Sequence, residues 1–358
     1  MLEIRPFDPD AASRDEWTEF HLHRRVRAEE DEPGEPILTD AEFEHDLRRR
    51  WPFSENRRLV AWGQGRIVGN LTLSFRREDT PDYAAFAPFL QVWGGVRESW
   101  RRQGVATALL RPVLAFMQDR GKTTLTLSTH LPEGRGFLAA IGAVEKHRNV
   151  VNRLALAGLD WHALARWQQA AIPPGSGLTW EIHAGRVPLA RLAVLHPQFT
   201  TLLRDVPLAA LDLPPPRYEM EGYIGWYEEM DRRGGEHFVV LLMDGENVAG
   251  ICEAHWSGRF PDRVYQELTG VARLWRGRGL AKGLKAAMLR LVHERRPEVR
   301  LMTTGNAEGN DAILSINRRL GFVEYRVDSS YQVGRDGLES WLATRAPVIP
   351  ANASFSRG

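Results

Sequence analysis

Residues 266–284, QELTGVARLWRGRGLAKGL, decide the fold, and residues 91–109, QVWGGVRESWRRQGVATAL, are an earlier copy of them. The interval between the copies is constant, since Arg276 follows Arg101 by as many positions as Gln266 follows Gln91, and residues at this interval are counterparts. In both copies an apolar run ends in Gly-Val, a short loop follows, and Arg-x-x-Gly-x-Ala opens an amphipathic stretch. A repeat of this length indicates a duplicated domain, because solenoid repeats span about 20 to 50 residues.

Each loop has the properties of a phosphate-binding loop. The first backbone N–H groups of a helix have no partner inside the helix, and the helix dipole makes that end partly positive. Glycine lets the backbone approach a ligand closely and adopt positive φ. A diphosphate could therefore accept backbone N–H bonds along residues 276–281, while the arginine side chains add positive charge.

Both copies resemble the acetyl-CoA pyrophosphate loop of the GNAT N-acetyltransferases. Residues 303–322, TTGNAEGNDAILSINRRLGF, are similar to the segment after the fifth strand of that family, with its N-x-x-x-N spacing and terminal L-G-F. The resemblance covers nearly the whole chain as two GNAT domains in tandem, an arrangement similar to that of the mycothiol synthases. The resemblance implies an α/β fold in which helices and strands are mixed (α+β). Each domain would have a mixed, mostly antiparallel sheet with a central splayed parallel strand pair, flanked by helices.

The composition favours two soluble domains. A length of 358 residues suits two domains of ordinary size. The chain has 47 basic and 46 acidic residues, so it lacks the overall basic field that attracts nucleic acid. Cys252 is the only cysteine, the N-terminus lacks the apolar core of a signal peptide, and no apolar run approaches the ~20 residues that span a bilayer. We expect a cytoplasmic protein with no nucleic-acid or membrane partner.

The domain boundaries follow from the repeat and from one linker. PPGSG at 173–177 is typical of a linker, and residues 150–156 are predicted to form the last strand of the first domain. The predicted segments are an N-terminal GNAT-like domain, a helix with the linker, a C-terminal GNAT domain and a tail: 1–158, 159–177, 178–346 and 347–358.

The resemblance also implies the residues that bind acetyl-CoA, or another acyl-CoA, as co-substrate. In the second copy they are Val271, Arg276, Gly277, Arg278, Gly279, Leu280, Ala281, Asn306 and Asn310. Weaker counterparts in the first copy are Val96, Arg101, Arg102, Gln103, Gly104, Val105 and Ala106. For Asn310, capping of the following helix is an equally good interpretation, since asparagine is a favoured N-cap. No metal is expected.

Glu267 is the candidate general base. It lies four residues before Val271, on the strand that leads into the loop, where a carboxylate could take the proton of the reacting amine directly or through a water. An outward-facing strand residue of no catalytic role is an equal alternative. Glu253 and His255, which share one face of the preceding strand by the period-two rule, are competing candidates.

Asn317 occupies the position at which the family usually has a tyrosine acid, five residues before the phenylalanine of L-G-F. Asparagine cannot protonate a thiolate, although it can hydrogen-bond to one. Either another residue serves as the acid or the thiolate leaves unprotonated. The nearest tyrosines in sequence are Tyr265, Tyr325 and Tyr331.

The first domain is expected to be degenerate. Val92 stands at the position of Glu267, Arg102 replaces Gly277, and the stretch after Thr129 lacks the asparagines. This domain would bind CoA weakly or serve as a scaffold.

The function that the resemblance implies is acetyl-CoA-dependent acetylation of the primary amine of a small molecule, by direct attack in the C-terminal domain. Aromatic and acidic residues mix along 218–231, which suits recognition of a cationic amine, although an amphipathic helix with buried aromatics explains the same pattern. A protein or peptide N-acetyltransferase and a non-catalytic acyl-CoA-binding protein are the alternatives.

Overall fold

A computed structural model describes residues 2–205 and 211–345, and these residues form two compact units. Unit 1 contains the described residues of Met1–Lys146, Leu211–Pro214 and Ser329–Gly358, and unit 2 contains those of His147–Ala210 and Pro215–Asp328. The predicted tail, 347–358, lies outside the described residues.

The first half of the chain contains both helices and strands. In order they are β1 (Leu2–Pro6), α1 (Arg14–Asp31), α2 (Asp40–Arg48), β2 (Ser54–Gly63), β3 (Arg66–Arg76), α3 (Tyr83–Phe86), β4 (Phe89–Val96), α4 (Val105–Asp119), β5 (Thr124–Thr129), α5 (Pro132–Ala140) and β6 (Val144–Ala155).

After one connecting helix, the second half repeats this order of elements except for α3. Its elements are α6 (Trp161–Ala170), β7 (Leu178–Gly185), α7 (Leu189–Arg204), α8 (Met220–Arg232), β8 (Glu236–Asp244), β9 (Asn247–Trp256), β10 (Arg263–Val271), α9 (Leu280–Arg295), β11 (Leu301–Ala307), α10 (Asp311–Leu320), β12 (Val323–Gly334) and α11 (Arg335–Ala343).

The two units have the same sheet topology. Strands of unit 1 pair in the order β1-β2-β3-β4-β5-β12, and all neighbours are antiparallel except the parallel pair β4 and β5. Strands of unit 2 pair in the order β7-β8-β9-β10-β11-β6, again antiparallel except for the parallel pair β10 and β11. The duplicated mixed sheet predicted from the sequence is confirmed.

Each parallel pair opens towards the loop that follows it. The paired positions of β10 and β11 end at Gln266 and Thr304, yet β10 continues to Val271. In unit 1 the paired positions of β4 and β5 end at Val92, and β4 continues to Val96. The strands diverge beyond these points, which is the splayed central pair that the resemblance implies.

The last strand of each sheet comes from a distant part of the chain. In unit 2, residues 149–155 of β6 pair with β11, although the sequence analysis groups 150–156 with the first domain. In unit 1, residues 329–334 of β12 pair with β5. An alternating apolar pattern identifies a strand but not the strand that it pairs with. The segments predicted from the sequence therefore divide the chain at different residues from the two compact units of the structure.

The sheet of unit 2 is covered on both faces, and β8 shows how. Val240 and Leu242 pack in the cluster that contains the α9 residue Leu284. Val239 and Leu241 pack in the opposite cluster with residues of α7 and α8. Successive residues of a strand point to opposite faces, so a continuous apolar run is buried on both sides.

Among residues 2–205 and 211–345, no helix is long and apolar enough to cross a membrane.

Candidate active site

The two loops have the same backbone conformation. Each begins with a single 3₁₀ turn and continues through an extended arginine, Arg101 at φ −66° and ψ 157° and Arg276 at φ −67° and ψ 159°. Each then reaches a left-handed glycine at the helix N-cap, with φ 78° at both Gly104 and Gly279. The repeated sequence therefore folds into the same cradle twice.

The loops differ at their first left-handed position. Gly277 has φ 76°, and its counterpart Arg102 has φ 62°. A residue with a side chain costs about 1–2 kcal/mol in this conformation, so the first loop is strained where the second is not. A Cβ added at Gly277 or Gly279 would meet nothing within 4 Å, so both glycines leave open space beside the loop.

The helix that follows each loop offers free backbone donors. Neither α4 nor α9 has a side-chain hydrogen bond at its N-cap, so the first-turn N–H groups of Leu280 and Ala281 are not capped by a side chain. Oriented N–H groups at the positive end of a helix are a suitable site for phosphate oxygens. The second loop therefore fits the diphosphate of an acyl-CoA.

Unit 2 has a cavity of about 450 Å³ between this loop, the end of β10, the end of α7 and the start of α10. The sequence-predicted residues that line it are Val271, Arg276, Gly277, Gly279, Leu280, Ala281 and Asn310. Sequence reasoning missed other lining residues, among them Leu202, Asp205, Thr269, Trp275, Ile313 and Ile316.

Val271 presents its backbone to the open side of β10. The N–H of the next residue, Ala272, donates to the carbonyl of Ala249 in β9, at 2.9 Å. Backbone groups of successive strand residues point to opposite sides, and the Val271 carbonyl accepts from Nε of Arg276 at 3.0 Å. The Val271 N–H therefore faces away from β9, on the side where β11 has diverged.

Arg276 shapes the loop rather than extending freely from it. Its guanidinium binds the Val271 carbonyl and lies 2.7 Å from Asp205, which also pairs with Arg273 at 2.6 Å. The hydrogen bond from Arg273 lowers the pKa of Asp205 and keeps it ionised. Arg278 lies over the ring of Trp275, 4.6 Å from its centroid.

In unit 1 the loop arginine also binds the carbonyl at the end of its strand, but a second arginine binds the same carbonyl. Arg101 donates to the Val96 carbonyl at 3.3 Å and lies 3.8 Å from Glu30, whose counterpart in the second domain is Asp205. Arg27 also donates to the Val96 carbonyl, at 2.9 Å, and a Cβ on Gly95 would come within 2.4 Å of its guanidinium.

Arg27 therefore covers the end of β4 in unit 1. Its counterpart in the second domain is Leu202, which lines the cavity of unit 2. Of the other predicted first-domain residues, Gln103 donates to the Ser99 carbonyl at 2.9 Å, while Val105 and Ala106 pack in or against the core.

The three asparagines of the second domain have different environments. Asn310 caps α10, since its side chain accepts from the Ile313 N–H at 3.4 Å, and it also lines the cavity. Asn317 is buried and donates to Asn306 Oδ1 at 2.7 Å. Neither Asn306 nor Asn317 is among the lining residues.

The candidate bases lie on the face of the sheet that packs against α7 and α8. Glu267 has a side chain that is 57% exposed and lies 3.1 Å from His255. The hydrogen bond from His255 lowers the pKa of Glu267, so this carboxyl is ionised at neutral pH. Glu253 is buried and already accepts from the hydroxyls of Tyr218 at 2.8 Å and Tyr223 at 3.3 Å.

The aromatic residues of 218–231 fit the amphipathic interpretation. Tyr223 and Tyr227 are buried in the core, and Tyr227 also contacts His237, with 3.0 Å between its hydroxyl and Nδ1. Of the three tyrosines near the missing acid, Tyr265 stacks on His255 at a centroid distance of 5.3 Å. Tyr325 lies under the guanidinium of Arg153, and Tyr331 is buried in unit 1.

Comparison with known proteins finds one family model that matches part of this chain and several solved structures with a similar fold. Residues 15–138 match the model of the acetyltransferase (GNAT) family. A tandem GNAT protein from the clavulanic acid biosynthesis pathway superposes with a TM-score of 0.72 at 22% identity, covering 94% of this chain and 99% of that one. A GCN5-related N-acetyltransferase from Sphaerobacter thermophilus gives 0.62 at 17% identity, with 93% and 96% covered.

A third structure with the same fold is the GCN5-related glucosamine N-acetyltransferase region of a fungal multi-domain GH3 β-N-acetylglucosaminidase. Its TM-score is 0.62 at 16% identity, and the match covers 93% of this chain and 38% of that one. No curated protein matches the sequence significantly.

Residues 15–138 therefore resemble the acetyltransferase (GNAT) family, and the chain has a fold similar to that of a tandem GNAT protein. The family model matches residues of the first domain. The second domain has the more complete set of the sequence motifs that resemble the GNAT family.

Proposed function

We propose that the chain transfers an acetyl group from acetyl-CoA to the primary amine of a small molecule, and that the second domain does so. The observation that carries the proposal is the contrast between Leu202 and Arg27. In the second domain a cavity leads from an unstrained loop to the end of the splayed strand. In the first domain an arginine covers the equivalent strand end.

Direct transfer requires a neutral amine, a polarised thioester carbonyl and a stabilised leaving group. The N–H of Val271 faces the open side of β10 and would polarise the carbonyl. Glu267 would take the proton of the amine, since it is ionised and more exposed than Glu253, whose oxygens already accept two tyrosine hydroxyls. The ionised Glu267 would also attract a cationic amine before the proton is lost.

A small-molecule acceptor is preferred to a protein, and we propose no nucleic-acid or membrane partner. The one cysteine, Cys252, is buried and unpaired, which suits a reducing compartment such as the cytoplasm. An acyl-CoA-binding protein without activity is the alternative of another class, favoured by asparagine at the position of the tyrosine acid.

The test is release of free thiol from acetyl-CoA in the presence of a panel of primary amines. Glucosamine belongs in the panel because a protein of the same fold is described as a glucosamine N-acetyltransferase region. Glu267→Gln keeps the size of the side chain and should lower kcat by roughly 10²-fold. Glu294→Gln makes the same charge change at the far end of α9 and should leave kcat unchanged.

If no amine releases thiol above the rate of hydrolysis, the acyl-CoA-binding alternative replaces this proposal. Turnover that is unaffected by Glu267→Gln would keep the enzyme and remove Glu267 as its base.

A further inference from the structure

Lys285 of α9 is a buried cation without an acidic partner. It is 1% exposed, and its Nζ donates to Oε1 of Gln266 at 2.6 Å. The ring of Phe322 lies 5.3 Å away, and no carboxylate of the described residues is within ion-pair distance. Burial of an uncompensated charge is costly, so such a residue in an enzyme calls for an explanation other than stability.

Lys285 begins a chain of hydrogen bonds with a defined direction. Since an ammonium group only donates, Gln266 must turn its oxygen to Lys285 and its amide nitrogen to Cys252 Sγ, 2.8 Å away. Cys252 Sγ lies 3.4 Å from Thr269 Oγ1. Burial raises the pKa of the Cys252 thiol, so it stays protonated and can donate to Thr269. The proton of the Thr269 hydroxyl is then left for the cavity that Thr269 lines.

A β-bulge brings Thr269 into this chain. Residues three apart on a regular strand face opposite sides, but the register of β10 shifts between Gln266 and Thr269. The two residues pair with Ala254 and Cys252, which lie on one face of β9. Bulges often reorient a side chain beside an active site, and this one places the Thr269 hydroxyl beside the cavity.

The first domain lacks this arrangement. The counterpart of Thr269 is Gly94, and the counterpart of Lys285 is Leu110. The pairing of β3 with β4 runs without a shift from Gly69 to Ser74. The chain of donors thus belongs to the domain to which we assign the reaction.

We propose that Thr269 donates a hydrogen bond to the sulfur of the leaving group, and that Lys285 is the positioning residue that orients it through Gln266 and Cys252. In the reaction the amine nitrogen bonds to the acetyl carbon, the carbon–sulfur bond breaks with its electron pair on sulfur, and the amine proton goes to the base. Thr269 stabilises the resulting thiolate without transferring its proton. This inference rests on the proposed function, and it supplies the stabilisation that Asn317 does not.

Thr269→Val tests the donor, because it removes the hydroxyl and keeps the shape. A hydrogen bond to a charged group is worth about 1.5–3 kcal/mol, so kcat should fall by about 10- to 100-fold with a smaller change in the KM for acetyl-CoA. Thr304→Val is the matched control: Thr304 is buried on the neighbouring strand, its hydroxyl has no partner among the described residues, and kcat should not change.

Lys285→Met tests the first residue of this chain of hydrogen bonds. Burial lowers the pKa of Lys285 to about 8, and the titratable group that faces it across α9, β9 and β10 is Cys252. The wild-type kcat should therefore fall as pH rises through about 8, and the variant should have a lower kcat without that limb. A merely structural role would leave the shape of the pH profile unchanged.

A measurement without turnover separates the two proposals. The thiol pKa of CoA bound to the protein, followed by ultraviolet absorbance of the thiolate, should be lower than that of free CoA and should return towards it in Thr269→Val. Equal thiol pKa values in wild type and Thr269→Val would overturn the inference, whether or not any amine is acetylated. Absence of turnover with every amine would instead overturn the proposed function.

Discussion

Lys285→Met should make the protein more stable even though it impairs catalysis. Folding lowers the pKa of this lysine from 10.5 to about 8, a difference of about 2.5 units. At about 1.4 kcal/mol per pKa unit, the folded state loses roughly 3–4 kcal/mol at neutral pH by holding this ammonium group. Methionine fills a similar volume without a charge, so most of this loss should be recovered, reduced by the loss of the bond to Gln266.

The pH dependence has a definite sign. Between pH 8 and 10.5 the unfolded chain binds the proton of Lys285 more tightly than the folded chain does. The free energy of unfolding of the wild type should therefore rise with pH across this window, and the advantage of Lys285→Met should shrink. Urea unfolding of both proteins at pH 7 and pH 10 measures this, because the other titrating groups cancel in the difference.

Lys282→Met is the control for this experiment. Lys282 lies one turn earlier on α9, partly exposed over the ring of Trp167, and its replacement should change stability by about 0.5 kcal/mol or less. A destabilised Lys285→Met at pH 7, or a difference that does not vary with pH, would refute the account of Lys285 as an uncompensated buried cation.

Three further predictions concern the cavity, the first domain and the acid. Leu202→Arg places the counterpart of Arg27 over the end of β10 and should abolish most acetyl-CoA binding by calorimetry while the thermal transition is retained. A fragment of residues 1–172 should release no thiol and should be unstable by circular dichroism, because it lacks 329–334, which pair with β5. Tyr265→Phe should change kcat little, and below about pH 8, where Lys285 is still charged, kcat/KM should rise with pH through the ionisation of the base or of the amine; a loss of about 10²-fold in Tyr265→Phe would identify Tyr265 as the acid.

The backbone conformation of the two loops could be predicted, because it depends on residues that are adjacent in the sequence. Glycines at the left-handed positions and a helix start directly after them determine the backbone of the loop, and both copies fold as the pattern indicates. The splayed pair was implied by the resemblance and is confirmed. Asn310 likewise adopts the capping role that its residue type favours, in addition to lining the cavity.

The chain of hydrogen bonds from Lys285 to Thr269 could not be predicted, because it depends on contacts between residues that are far apart in the sequence. A lysine in a helix is typical of a solvent-facing residue, yet Lys285 is buried with its Nζ against Gln266 of β10. The bulge that turns Thr269 towards Gln266 depends on pairing with β9, which periodicity does not encode.

The constant interval between the two copies also identifies counterparts outside the two loops. Extended towards the N-terminal side, it aligns Glu30 with Asp205 and Arg27 with Leu202. The first pair keeps an acid beside the loop arginine, and the second pair distinguishes a covered strand end from an open one.

The most direct test of the account is to compare Gly279→Glu with Gly104→Glu in acetyl-CoA titration calorimetry and thiol release. Both glycines are left-handed N-caps with φ 78°, so the substitution strains the two loops equally and places the same negative charge beside each. We predict that Gly279→Glu loses most binding and turnover and that Gly104→Glu retains both. Greater damage from Gly104→Glu would contradict the assignment of the reaction to the second domain.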